Sequence, residues 1–173
     1  MRRFLLAVGS VLGAFLLQNS VLWTLSPLDV VPNLLLIVTV AYGLTTGKRT
    51  GMTVGLFCGI LSDAFIGDGG LGFYMLVYIY IGGFCGLFHG FIYSEEPLFP
   101  MLLVGVCDLA FGGYFFVFRF LIRGRLDVMT YVTGTILPEV VYTVLAAIIV
   151  YPLITGIDRH LVLTKKRRTS SFV

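Results

Sequence analysis

Apolar residues run through this chain in long stretches, separated by brief breaks rich in Gly, Pro, Asp or basic residues. A helix needs roughly 20 apolar residues to cross about 30 Å of hydrocarbon, so each stretch reads as a membrane span. The pattern predicts six, over residues 4–25, 32–46, 51–66, 71–93, 98–122 and 129–154, followed by a basic tail at 159–173. The first ends near Trp23, whose amphipathic ring suits a membrane interface. Ser26-Pro27-Leu28-Asp29 makes a turn, and Pro32 suits the first turn of the second helix, where its missing N–H is no loss. Thr46-Gly47-Lys48-Arg49 reads as a tight polar hairpin, and Gly67-Asp68-Gly69-Gly70 closes the third span. The second and third spans are short for a full crossing.

With 58% hydrophobic and 12% charged residues among 173, the chain has too little polar surface for a soluble domain and no room for a large extramembrane one. The expected architecture is a single all-α transmembrane domain. Met1-Arg2-Arg3 followed by an apolar run imitates a secretory signal. No small-x-small cleavage site follows, so the segment is read as a retained first helix. Cys58, Cys85 and Cys107 lie inside apolar stretches without metal-ligand spacing and read as small buried hydrophobes. Nine of the twelve Lys and Arg residues fall on one side of the predicted topology: Arg2, Arg3, Lys48, Arg49, Arg159, Lys165, Lys166, Arg167 and Arg168. Only Arg119, Arg123 and Arg125 fall on the other, which puts both termini in the cytoplasm. The link at Glu95-Glu96 lacks basic residues, but acids weigh little in this rule. The basic tail reads as a topology anchor or as a landing site for anionic lipid or a partner.

Helices associate in lipid through close backbone approach, so small residues four apart mark packing seams. Three such series occur: Gly9 and Gly13, then Gly51, Gly55 and Gly59, then Gly82, Gly86 and Gly90. Four residues turn an α-helix by about 400°, which keeps each series on one stripe. The third and fourth spans are expected to pack tightly. Each stripe serves either packing within the subunit or contact with another membrane protein. Six helices have more than three faces to cover, so at least one stripe is expected to meet a partner.

Ionisable residues within the membrane are costly and mark candidate sites. Asp63 continues the Gly51-Gly55-Gly59 stripe toward the outer end of the third span, and Arg119 is its depth-matched candidate partner. Asp108 and Glu139 both fall near the midplane. Two close carboxylates cannot both ionise cheaply, so this pair is expected to share a proton, as relay or as structural glue. Pro138 should loosen the sixth helix beside Glu139 and free a carbonyl. Gln18, Asn19, Asn33 and Asp63 all fall in the outer half of the membrane. They form either an outward-opening polar cavity or ordinary interhelical hydrogen bonds.

Catalytic patterns do not fit. An intramembrane aspartyl protease would want Gly-x-Gly-Asp, whereas Phe65-Ile66-Gly67 precedes Asp68. A rhomboid-type site would want Gly-x-Ser-x-Gly, and Gly59-Ile60-Leu61-Ser62-Asp63 has the wrong spacing. His89 and His160 lack acidic or thiol neighbours at ligand spacing. An enzyme is not expected, nor is a cofactor.

Pro32-Asn33-Leu34-Leu35-Leu36 at the second span resembles the rod shape-determining MreD family of bacteria. Gly55, Gly59 and Asp63 in the third span and Gly70-Leu71-Gly72 before the fourth fit the same family. The resemblance covers essentially the whole chain in length, span number and basic ends. It implies a non-catalytic component of the cell-elongation machinery in the plasma membrane. That component acts with MreC, a single-span protein with an extracytoplasmic region, with the actin-like MreB and with cell-wall synthases to organise lateral peptidoglycan synthesis. The family also looks similar in fold to the substrate-binding subunits of energy-coupling-factor transporters. The alternative is therefore a vitamin-type binding subunit holding its ligand near Asp63 and Arg119.

Overall fold

The computed structural model of the chain describes residues 2–22, 30–65, 72–90, 98–118 and 132–169, with side chains left undescribed at 2–4, 21–22 and 157–169. Trp23, the turns at 26–29 and 67–70, the Glu95-Glu96 link, Arg119, Arg123 and Arg125 lie outside the described residues.

Six α-helices follow in order: α1 (Arg2–Leu16), α2 (Leu34–Thr46), α3 (Lys48–Phe65), α4 (Phe73–Leu87), α5 (Leu98–Phe116) and α6 (Leu137–Thr169). The apolar stretches dictate them, since a chain segment in hydrocarbon must satisfy its own backbone groups and a helix does so internally. α1 passes into a π-helical turn at Leu17–Leu22, α4 ends in a 3₁₀ turn at Phe88–Gly90, and a π-helical turn at Val132–Ile136 leads into α6. That last turn has a cause in the sequence. Pro138 has no N–H to offer the Gly134 carbonyl four residues back, so the helix relaxes there.

Among the described residues, three helical stretches are long and apolar enough to cross a membrane on their own: Phe73–Gly90, Leu98–Phe116 and Val132–Gly156. Leu5–Ser20 and Leu34–Thr46 are apolar but shorter. α6 continues past the expected end of the sixth span, through the basic segment to Thr169.

α2 is the axis of the molecule. It touches all five other helices, and every residue from Leu34 to Leu44 is buried. A helix that is apolar all round has no face for water and belongs at a core. α3 and α4 form the tightest pair, antiparallel, while α5 packs on α6 at the other side of α2. Between α4 and α5, Tyr74, Tyr78, Phe111 and Phe115 interleave, with ring centroids 4.3 to 6.0 Å apart. Lower on that interface the thiols of Cys85 and Cys107 meet at 3.6 Å. All three cysteines are buried and free, as small hydrophobes would be.

Gly47, with φ of 94°, turns the chain from α2 into α3, a backbone conformation that side chains resist. His89 reaches the C-terminal turn of α2 from α4, its Nδ1 2.6 Å from the Leu44 carbonyl. A carbonyl only accepts, so this ring nitrogen carries the proton and satisfies one of the helix-end carbonyls.

Candidate functional site: a buried capping network and three glycine stripes

α2 spans 13 residues, about 20 Å, so it begins below the level where water is plentiful. The first N–H groups of a helix have no partner within it, and each left bare in an apolar medium costs several kcal/mol. The chain supplies all of them. Asn33 donates its N–H to Thr143 Oγ1 (3.1 Å) from α6, Leu34 donates to the Pro32 carbonyl (3.0 Å), and Leu35 to Gln18 Oε1 (3.3 Å) from α1. Leu36 donates to Asn33 Oδ1 (3.1 Å) and Ile37 to the Asn33 carbonyl (3.3 Å). Asn33 Oδ1 also accepts the Tyr78 hydroxyl of α4 at 2.8 Å, which fills its two lone pairs. Asn33 thus ties α2 to α4 and α6, which gives a physical reason for Asn at this position.

Asp63 does the same for α4. Gly72 holds the N-cap position with φ of 106° and offers no side chain. The Asp63 carboxylate takes its place from α3, accepting from the N–H of Tyr74 (Oδ1, 3.1 Å) and of Met75 (Oδ2, 3.0 Å). A negative charge at a helix N-terminus also meets the positive end of the helix dipole. Asp63 does continue the α3 glycine stripe toward α4. Its described partners are backbone N–H groups, and Arg119 lies outside the described residues. Gln18, Asn33 and Asp63 are all engaged in helix capping, and Asn19 donates to the Phe15 carbonyl of its own helix at 3.1 Å. Gln18, Asn33 and Asp63 thereby join one helix to another, while Asn19 bonds within its own.

Asp108 on α5 is 2% exposed, and neither carboxyl oxygen has a hydrogen-bond partner among the described residues. It faces the Thr143 hydroxyl and lies within electrostatic reach of Glu139, one turn before Thr143 on the same face of α6. The two midplane carboxyls therefore do sit on facing helices. Glu139 is half-buried and Asp108 is sealed. No three His, Cys, Asp or Glu side chains among the described residues gather as a metal site would require.

The glycine stripes separate into two kinds. A β-carbon at Gly55 would run into the Tyr78 carbonyl, at Gly59 into the Met75 backbone, and at Gly51 into the Gly82 carbonyl. Conversely, Gly82 lies on the Gly51 carbonyl, and Gly86 on the Lys48 backbone. Backbone touches backbone along the whole α3–α4 seam. Gly43 of α2 joins it, where a β-carbon would come within 3.0 Å of the Gly82 carbonyl and of Cys85 Cβ, and was not among the expected seam residues. Its signal in the sequence is Gly47, four positions on. Gly9 and Gly13 are different: nothing in the described chain comes within 4 Å of a β-carbon at either. Gly90 is likewise exposed and without such a neighbour, so the α4 stripe ends at Gly86.

Together these features define an all-helical membrane protein built on a short buried helix whose two ends are capped by side chains of other helices. The family model for the rod shape-determining protein MreD matches residues 1–160, and the chain belongs to that family. It is a rod shape-determining membrane protein. No curated protein and no solved structure matches the chain, so the expected likeness to energy-coupling-factor binding subunits has no supporting match.

Proposed function

We propose that this protein is a non-catalytic membrane component of the cell-elongation machinery. It binds MreC and helps maintain rod shape by organising lateral peptidoglycan synthesis with MreB and the cell-wall synthases. The family match over residues 1–160 carries this reading. In it the chain crosses the plasma membrane six times with both termini in the cytoplasm, α2 and α3 being short crossings walled by their neighbours. The Gly9–Gly13 face of α1 receives the single span of MreC. It has the small residues that close helix approach requires, and no helix among the described residues occupies it.

The test is recovery of MreC with the C-terminally tagged protein from membranes extracted in mild detergent. Gly13→Leu should lower that recovery severalfold at unchanged thermal stability, because nothing among the described residues meets a side chain there. Full recovery in Gly9→Leu/Gly13→Leu would remove α1 as the docking face. Loss of MreC from the wild-type preparation, with an ATPase pair and its coupling subunit in its place, would favour a transporter's binding subunit. The capping roles of Asn33 and Asp63 speak against that alternative, since those outer polar groups are already engaged.

A further inference from the structure

A groove of about 480 Å³ opens between α1 and α3, floored by Tyr42 of α2. Its walls are apolar, formed by residues such as Leu12, Phe57 and Ile60, each between 41% and 46% exposed, so it faces the bilayer. One end is lined by Thr46, Thr50 and Thr53. Thr46 and Thr50 bracket the turn that carries Lys48 and Arg49, both exposed. We infer that this groove binds one anionic phospholipid, with an acyl chain along the apolar walls and the phosphate against Arg49.

Water suits only the threonine end of the site, because the walls of Leu, Ile and Phe along the rest cannot supply the two to four polar partners a buried water needs. A transmembrane helix suits it poorly as well. Helices pack in lipid through small residues, and the groove presents bulky branched and aromatic side chains. The small residues of α1, Gly9 and Gly13, lie on the opposite side of that helix from Ala7 and Val11, which are buried toward the groove and core. A flexible acyl chain conforms to such an uneven wall and gains dispersion contacts along its length. Charge then selects the headgroup, since Arg49, beside the lining Thr50 and one turn before the lining Thr53, attracts a net negative lipid and leaves a zwitterionic one little favoured. This site is separate from the face proposed for MreC, so either can fail without the other.

The full-length chain, stripped of lipid in detergent, is titrated with phosphatidylglycerol or with phosphatidylcholine of the same acyl length, and bound lipid is counted by native mass spectrometry. The wild type should retain phosphatidylglycerol about fivefold better, the size of effect one nearby basic residue produces. Arg49→Gln should abolish the preference while keeping weak retention of both lipids. Thr53→Trp, at an exposed lining position, should fill the groove and lower retention of both. Leu12→Trp does the same from the α1 side, so that one poorly folding variant does not decide the matter. Equal retention of the two lipids by the wild type would overturn the headgroup assignment. Undiminished retention in both folded tryptophan variants would overturn the groove. So would a photo-crosslinker at position 57 that captures protein in place of lipid.

Discussion

Asp63 and Asp108 are both buried carboxylates in helices, yet they stand in opposite conditions. Asp63 accepts two backbone N–H groups at the start of α4, and a carboxylate there is doubly favoured by hydrogen bonds and by the helix dipole. Asp63→Asn keeps one acceptor and should cost about 1 kcal/mol, whereas Asp63→Leu removes the cap and should cost about 2 kcal/mol or more. Thermal unfolding in detergent orders the two; equal losses would show that the charge itself is required. Asp108 has no hydrogen-bond partner among the described residues, and an unsatisfied buried group is a cost that an apolar replacement removes. Asp108→Leu should therefore leave stability unchanged or raise it by about 1 kcal/mol. If that stable variant loses rod shape in cells while Asp108→Asn keeps it, the polar group serves function and not folding. At this scale the sequence showed which polar residues lie in the membrane. It could not show that Asp63 meets N–H groups eleven and twelve positions on across a turn, because the closeness is made by the α3–α4 seam.

Glycines four apart are visible in any sequence, but the pattern is the same whether the facing helix belongs to this chain or to another. Gly51, Gly55, Gly59, Gly82 and Gly86 were legible as a pair of stripes, and α3 and α4 do meet along them with backbones in contact. Gly9 and Gly13 carry the same spacing and touch nothing in the described chain, and Gly90 lies past the end of its stripe. Only the neighbour distinguishes them, and the neighbour is not written locally. The distinction is measurable. Gly59→Leu should prevent folding or lower the yield of folded protein sharply, since the side chain would need the space of the Met75 backbone, a clash well beyond the roughly 1–3 kcal/mol of ordinary overpacking. Gly9→Leu should fold like the wild type. Gly59→Leu protein with unaltered thermal stability would sink the seam. The π-helical turn before Pro138 is an element-scale feature that the sequence did announce, through a proline inside the expected sixth span that should loosen the helix beside Glu139.

For the molecule as a whole, helix number and order were readable because apolar length is a strong signal. Crossing by itself is a property of three stretches, and the shortness of the second and third predicted spans pointed to the reason. α2 is a core helix with hydrophobic residues on every side, and a helix of that kind looks the same in sequence whether lipid or protein surrounds it. What the sequence could not supply was the closure of its N-terminus by Gln18, Asn33 and Thr143, groups brought together from α1, α2 and α6.

That closure sets an order of events during synthesis. The N–H of Asn33 waits for Thr143, 110 positions later, and the carboxamide oxygen of Asn33 waits for Tyr78, 45 positions later. While the ribosome is still making α3, the head of α2 has one bare donor, the Asn33 N–H, and too little length to reside in lipid by itself. The nascent chain must hold α2 near the translocon or at the interface, and α2 takes its final place only when α6 has emerged. A chain stopped after Phe116 should therefore leave α2 accessible to aqueous thiol reagents at a cysteine placed at position 35, where the complete chain protects it.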